Sequence, residues 1–190
     1  MVAYAHAALY PEATNRVCLL DVPHPVESWS AFSLLPGPDQ YVDPGRGNPA
    51  GTYLWWFAFN QVRGLPESLL EGRFSLLGDW LLDYMAKDPA SIGAHSRRVY
   101  ARAYSGADAI RAGNAWYRAF TTDIAHERTY GKVEVPILAL GGDESNHAYL
   151  RDLMPSEGTD VRVVGIADCG HYLPEEQPEA VADAMEAFLS

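Results

Sequence analysis

Cysteine is scarce in this 190-residue chain, where Cys18 and Cys169 are the only two. They stand far apart, with no CxxC and no Cys/His ligand spacing. That gives no zinc signature and fits a reducing compartment. Basic residues are also few: 14 Lys and Arg face 25 Asp and Glu, for a net charge of −11. No basic stripe exists to neutralise phosphates, which argues against nucleic acid and anionic membrane as partners. No apolar run approaches the length needed to cross a bilayer. No charged-then-apolar leader with a cleavage site is present, so a soluble cytoplasmic protein is the expectation. Internal repeats and low-complexity segments are missing too. What remains is an aromatic-rich chain, with five Trp and eleven Tyr, in which 48% of residues are hydrophobic. That length and composition support one ordinary domain with a real core.

The patterning places a helix over 1–12, where Val2, Ala5 and Leu9 share a face and Pro11-Glu12 marks the end. A short apolar run, 16–20, reads as a strand ending at Asp21, and Pro23-His24-Pro25 breaks it. Residues 26–129 read as helical with irregular Pro/Gly stretches. Turn residues concentrate over 36–51, a dense aromatic helix follows over 53–61, and one or two helices lie within 66–87. Asp88-Pro89 opens a helix to about Tyr104, and a last one runs to about Glu127. Residues 135–140 are a strand leading into Gly141-Gly142-Asp143-Glu144. A helix over 146–154, a strand over 161–166 and an amphipathic helix over 178–189 complete the chain. Strands alternating with helices imply a parallel sheet. The long helical insertion reads as a lid over the strands' C-terminal ends.

Asp168-Cys169-Gly170-His171-Tyr172-Leu173-Pro174-Glu175-Glu176 is the most informative stretch. It puts a histidine on a tight turn where a strand ends, the place where α/β enzymes carry catalytic groups. A loop histidine beside a helix start that welcomes Glu175 and Glu176 is the plainer alternative. Three strand ends carry polar groups: Asp21, the Asp143-Glu144 pair and His171. In a parallel sheet all three project from one edge, so a carboxylate there is able to reach a ring nitrogen of His171. Such a contact fixes the tautomer and stabilises the imidazolium.

Several motifs, in order, carry a resemblance. They are Met1-Val2-Ala3-Tyr4-Ala5 with Tyr10-Pro11-Glu12, Leu19-Leu20-Asp21-Val22-Pro23-His24-Pro25, and Leu65-Pro66-Glu67 with Gly72-Arg73. Trp116-Tyr117-Arg118-Ala119, the run from Val135 to Gly142, and Cys169-Gly170-His171 with Glu175-Glu176 and Pro178 follow. Together the chain resembles the α/β-hydrolase superfamily, in its branch of epoxide hydrolases and haloacid or haloalkane dehalogenases. The resemblance implies the C-terminal part of that fold: about three parallel strands with flanking helices, and an all-helical cap insertion. It divides the chain into a partial core, 1–25 and 130–190, and a cap, 26–129. In such enzymes an Asp attacks the substrate carbon to form an ester, which a His-activated water hydrolyses. His171 matches the base. Asp21 and Asp143 match the family's two alternative positions for the acid that orients it, and the Leu-Asp-x-Pro setting favours Asp21. Glu144 is a third choice, and Asp143 also reads as an ordinary turn residue.

Tyr117 matches the cap tyrosine that donates to an opening epoxide oxygen or a halide, although it shares a stripe with Ile110, Gly113 and Phe120 that also reads as core. Trp55 and Trp56 stand where relatives carry their other cap donor, often Tyr or His. An indole donates one hydrogen bond but is no acid, which suits halide better than epoxide; aromatic packing over the pocket is the alternative. Gly72-Arg73 looks more like the epoxide-hydrolase side. The implied substrate is a small epoxide or halogenated compound, with no metal or organic cofactor.

The family's Gly-His-Asp-x-Gly-Gly nucleophile turn is not among these residues, nor is any Gly-x-Ser-x-Gly. The resemblance places that turn, and five of eight strands, before Met1. Two expectations follow: a fragment of a longer hydrolase, or a catalytically inactive remnant or interaction module. An open sheet edge would leave such a piece prone to self-association.

Overall fold

The computed structural model describes residues 1–22, 24, 26–31 and 54–190. In chain order, α1 (Val2–Leu9) leads to β1 (Val17–Leu20), and α2 (Trp55–Gln61), α3 (Leu65–Leu70), α4 (Ser75–Met85), α5 (Ala94–Ala103) and α6 (Ala107–Glu127) follow. Then come β2 (Ile137–Gly142), α7 (His147–Glu157), β3 (Val161–Ile166), α8 (Leu173–Glu176) and α9 (Pro178–Leu189). The turn-rich stretch expected over 36–51 lies outside the described residues. Two compact units form: Met1–Glu27 with Ala86–Asp88 and Asp123–Ser190, and Ser28–Met85 with Pro89–Thr122.

The first unit holds a parallel sheet in the order β1-β2-β3, with Val17 opposite Ile137 and Ile137 opposite Val161. Every residue of β2 is buried, as a central parallel strand with helices on both faces requires. Its side chains alternate between faces. Ile137 and Ala139 join Tyr4, Ala7, Leu150 and Met154 from α1 and α7. Leu138 and Leu140 join Leu173 and Val181 from α8 and α9. The three parallel strands with flanking helices expected from the sequence are therefore present. The second unit is helical among its described residues and packs Leu70, Leu77 and Ile110 with Trp55, Phe59 and Phe74.

Several element limits differ from the patterning, each for a local reason. Helix α1 stops at Leu9, because Tyr10 precedes Pro11 and takes an extended φ of −134°. The helix expected from Asp88-Pro89 is a 3₁₀ turn, Pro89–Ser91, and then α5. The Ile92 carbonyl between them accepts from Arg97 Nε at 2.9 Å. Helix α7 runs past Pro155 to Glu157. Gly141 and Gly142 are the last residues of β2 and not a turn. They are small because neighbours crowd them: a Cβ on Gly142 would lie 2.1 Å from the Gly170 carbonyl oxygen, and one on Gly141 2.5 Å from His147 Cα.

Candidate active site

Strand β1 ends at Leu20, and the next residue turns sharply. Asp21 has φ 46° and is fully buried. Its backbone N–H still bonds the Leu140 carbonyl at 2.7 Å, so the sheet holds the residue in place. Five donors surround the carboxylate. Oδ1 accepts from the Gly142 and Asn146 backbone N–H groups at 2.8 and 3.2 Å. Oδ2 accepts from Ser145 Oγ at 2.6 Å and Asn146 Nδ2 at 2.9 Å. The fifth contact is His171 Nδ1, 2.7 Å from Oδ2. A buried carboxylate is tolerated only with such pairing. With Nδ1 donating to Asp21, the neutral ring keeps a lone pair on Nε2. The His171 side chain remains 30% exposed, unlike the fully buried Asp21.

Backbone bonds aim the His171 turn. Glu176 on α8 accepts from Gly170 N–H at 3.0 Å and Tyr172 N–H at 2.9 Å, gripping the chain on both sides of the histidine. Asp143 is placed differently from Asp21. It is exposed, and its two oxygens accept from the Asp168 and Cys169 N–H groups, both at 3.1 Å. Those bonds, that to Cys169 foremost, hold its carboxyl below the usual range against a smaller opposing effect of burial. Glu144 pairs with Lys87, which also bonds Asp168 at 3.2 Å. The structure thus brings Asp21 to His171, while Asp143 braces the turn that carries it. Cys169 does not form a thiolate beside the histidine, because burial, with Glu176, Asp21 and Asp143 nearby, pushes its thiol up to about 12.

In the second unit, Tyr117 is partly buried on α6 and meets Phe57 edge-on at 5.2 Å. Burial raises its phenol above the usual range, opposed by hydrogen bonds with the Asn60 and Trp56 side chains. The phenol is therefore a neutral hydroxyl grouped with an amide and an indole. Trp56 is buried in this group, while Trp55 packs against Trp80 and Phe59 at 5.2 and 6.0 Å. Sequence reasoning missed Ser145, Asn146, Glu176 and Asn60. The first two follow Gly-Gly-Asp-Glu, where polar residues read simply as a helix start; Asn60 gave no signal within an aromatic helix.

No protein-family model matches the chain. It is 31% identical over 98 residues to the soluble epoxide hydrolase of Corynebacterium sp. (strain C12), a match covering 48% of this chain and 32% of that protein. Among solved structures it is 31% identical to Cfl2 from Burkholderia cenocepacia, with a TM-score of 0.73, over 100% of this chain and 62% of that one. The Cif epoxide hydrolase from Acinetobacter nosocomialis gives a TM-score of 0.82 at 19% identity, over 99% and 57% of the two chains, a likeness of fold alone. The chain spans about a third of the curated relative's length and less than two thirds of these structures.

Proposed function

The chain belongs to the α/β-hydrolase superfamily, and from that premise we propose that it carries the water-activating half of an epoxide-hydrolase-like covalent catalyst. The carrying observation is the 2.7 Å contact between His171 Nδ1 and a fully buried Asp21. An Asp outside these 190 residues attacks the substrate carbon, opens the ring and becomes an ester. His171 Nε2 then takes a proton from water as the water oxygen attacks the ester carbonyl. The tetrahedral intermediate collapses by breaking the bond to the oxygen joined to the substrate carbon, which takes that proton from His171 and leaves as the alcohol, restoring the carboxylate. Asp21 orients the ring and stabilises the imidazolium without accepting the proton itself. Tyr117 acts as the donor to the departing oxygen, a role that needs a neutral phenol, and the Trp56 indole supports that phenol through its hydrogen bond.

Expressed with the coding sequence upstream of Met1, the protein is expected to open a small epoxide. His171→Gln is expected to accumulate a covalent adduct visible by intact mass, with turnover falling about 10²–10⁴-fold. Attack by the carboxylate needs no base, whereas hydrolysis does. Unchanged steady-state turnover in that variant contradicts the assignment. One observation favours a second reading, a haloacid dehalogenase-like hydrolase: the cap donor beside Tyr117 is an indole, which suits halide and cannot act as an acid. Halide release without epoxide opening selects that reading. An upstream stop codon in place of a Gly-His-Asp-x-Gly-Gly turn selects an inactive remnant.

A further inference from the structure

A second cluster in the first unit takes no part in this chemistry. His24 lies just past β1 and is 4% exposed. Its Nε2 has no hydrogen-bond partner among the described residues. It points between two carboxylates, 3.6 Å from Glu127 Oε1 and 3.7 Å from Glu157 Oε2. These distances are too long for hydrogen bonds. One atom from each of the three residues lies within 4.8 Å of the others. An orphaned polar atom in so buried a position calls for a partner. Its surroundings are otherwise tied down: Tyr149 donates to the His24 carbonyl at 3.0 Å, and the Tyr4 ring packs edge-on against the imidazole at 4.2 Å.

We propose that His24, Glu127 and Glu157 form a structural site for a divalent transition-metal ion of the zinc class, with water as fourth ligand. Ligands about 2.0–2.1 Å from a tetrahedral zinc lie about 3.3–3.4 Å from one another, so the two histidine–glutamate pairs, at 3.6 and 3.7 Å, need close by only a few tenths of an ångström. One imidazole with two carboxylates selects zinc-like ions over magnesium or calcium, which take oxygen ligands throughout. Two carboxylates also balance the ion's charge. The ligands come from the segment after β1, the end of α6 and the end of α7. The ion therefore ties together the points where the chain leaves and re-enters this unit. No sequence spacing announces it, because the three positions are so far apart.

The test is titration of the chelator-treated chain with zinc, and separately with cobalt(II), whose visible bands report four-coordinate N/O ligation. One equivalent is expected to bind, and Tm to rise with free zinc. Glu127→Gln and Glu157→Gln, checked for folding by circular dichroism, are expected to bind zinc more than about tenfold more weakly. His24→Gln is expected to lose the four-coordinate cobalt spectrum; should it fail to fold, the two glutamate variants decide. His126→Gln, exposed and next to Glu127, is expected to bind as the parent does. Absence of stoichiometric zinc binding by the folded chain, equal binding by both glutamate variants, or a preference for magnesium or calcium would overturn the site.

Discussion

Asp21 and His24 stand three positions apart, yet their surroundings impose opposite demands. Asp21 is buried as an acceptor amid five donors, whereas burial leaves His24 neutral, with its pKa held to about 4. Beside His24, burial and the neighbouring Glu157 raise Glu127 to about 7 from 4.5. Tyr4 and Tyr130 also face this group, the latter through Tyr4 at 6.5 Å. A carboxyl whose folded pKa is raised stabilises most below its unfolded value and loses that contribution as pH climbs through the folded one. The histidine works the other way, adding stability as pH rises from about 4 to 6.5. The two oppose each other through mild acid, and Glu127 acts alone near neutrality. In chelating buffer, Glu127→Gln is therefore expected to match the parent near pH 4.5 and to exceed it by about 1–3 kcal/mol at pH 8. Urea melts across that range check it. A constant offset would refute the titration.

Among the elements, the end of β2 positions the site. Gly142 donates its N–H to Asp21 while passing under the Cys169 and Gly170 carbonyls, with no room for a side chain. Gly142→Ala is expected to cost about 1–3 kcal/mol or more through overpacking. It should also displace the His171 turn, read as altered amide shifts from Cys169 to Tyr172. A cost below about 0.5 kcal/mol with unmoved shifts would show that the turn is not braced there. The β-α-β-α order was legible because strand and helix periodicities differ. Strand β3 and helix α9 carry limits that the pattern alone marks, since Asp160 precedes one and Pro178 opens the other. From the residues alone the meeting of Asp21 with His171 was legible only as one of several alternatives, and it was the resemblance, through the Leu-Asp-x-Pro setting, that favoured Asp21. Parallel pairing brings both Asp21 and Asp143 to the same edge, and periodicity does not say which side chain turns inward. The left-handed φ of Asp21 decides it, together with the backbone amides that occupy Asp143. The grip of Glu176 on both neighbours of His171 was hidden, because acidic residues at a helix start look like dipole partners.

At the scale of the whole molecule, the described residues place a ladder on one side of β1 alone. Val17 and Asp21 direct their N–H groups to Pro136 and Leu140, which leaves alternate backbone groups of β1 on the opposite edge. A groove lined by Val2, Val17, Pro136 and Leu189 lies beside it. Such an edge is a pairing template, so the 190-residue chain is expected to associate with rising concentration. Sedimentation velocity over a hundredfold concentration range checks this, and a constant monomer coefficient would contradict it. The central claim, that Asp21 orients a water-activating His171, is tested most directly by turnover of Asp21→Asn and Asp143→Asn in the protein expressed with its upstream sequence. The account predicts a loss of about 10²–10⁴-fold for Asp21→Asn and less than about tenfold for Asp143→Asn. Near-parent turnover by Asp21→Asn, or the larger loss in Asp143→Asn, would contradict it.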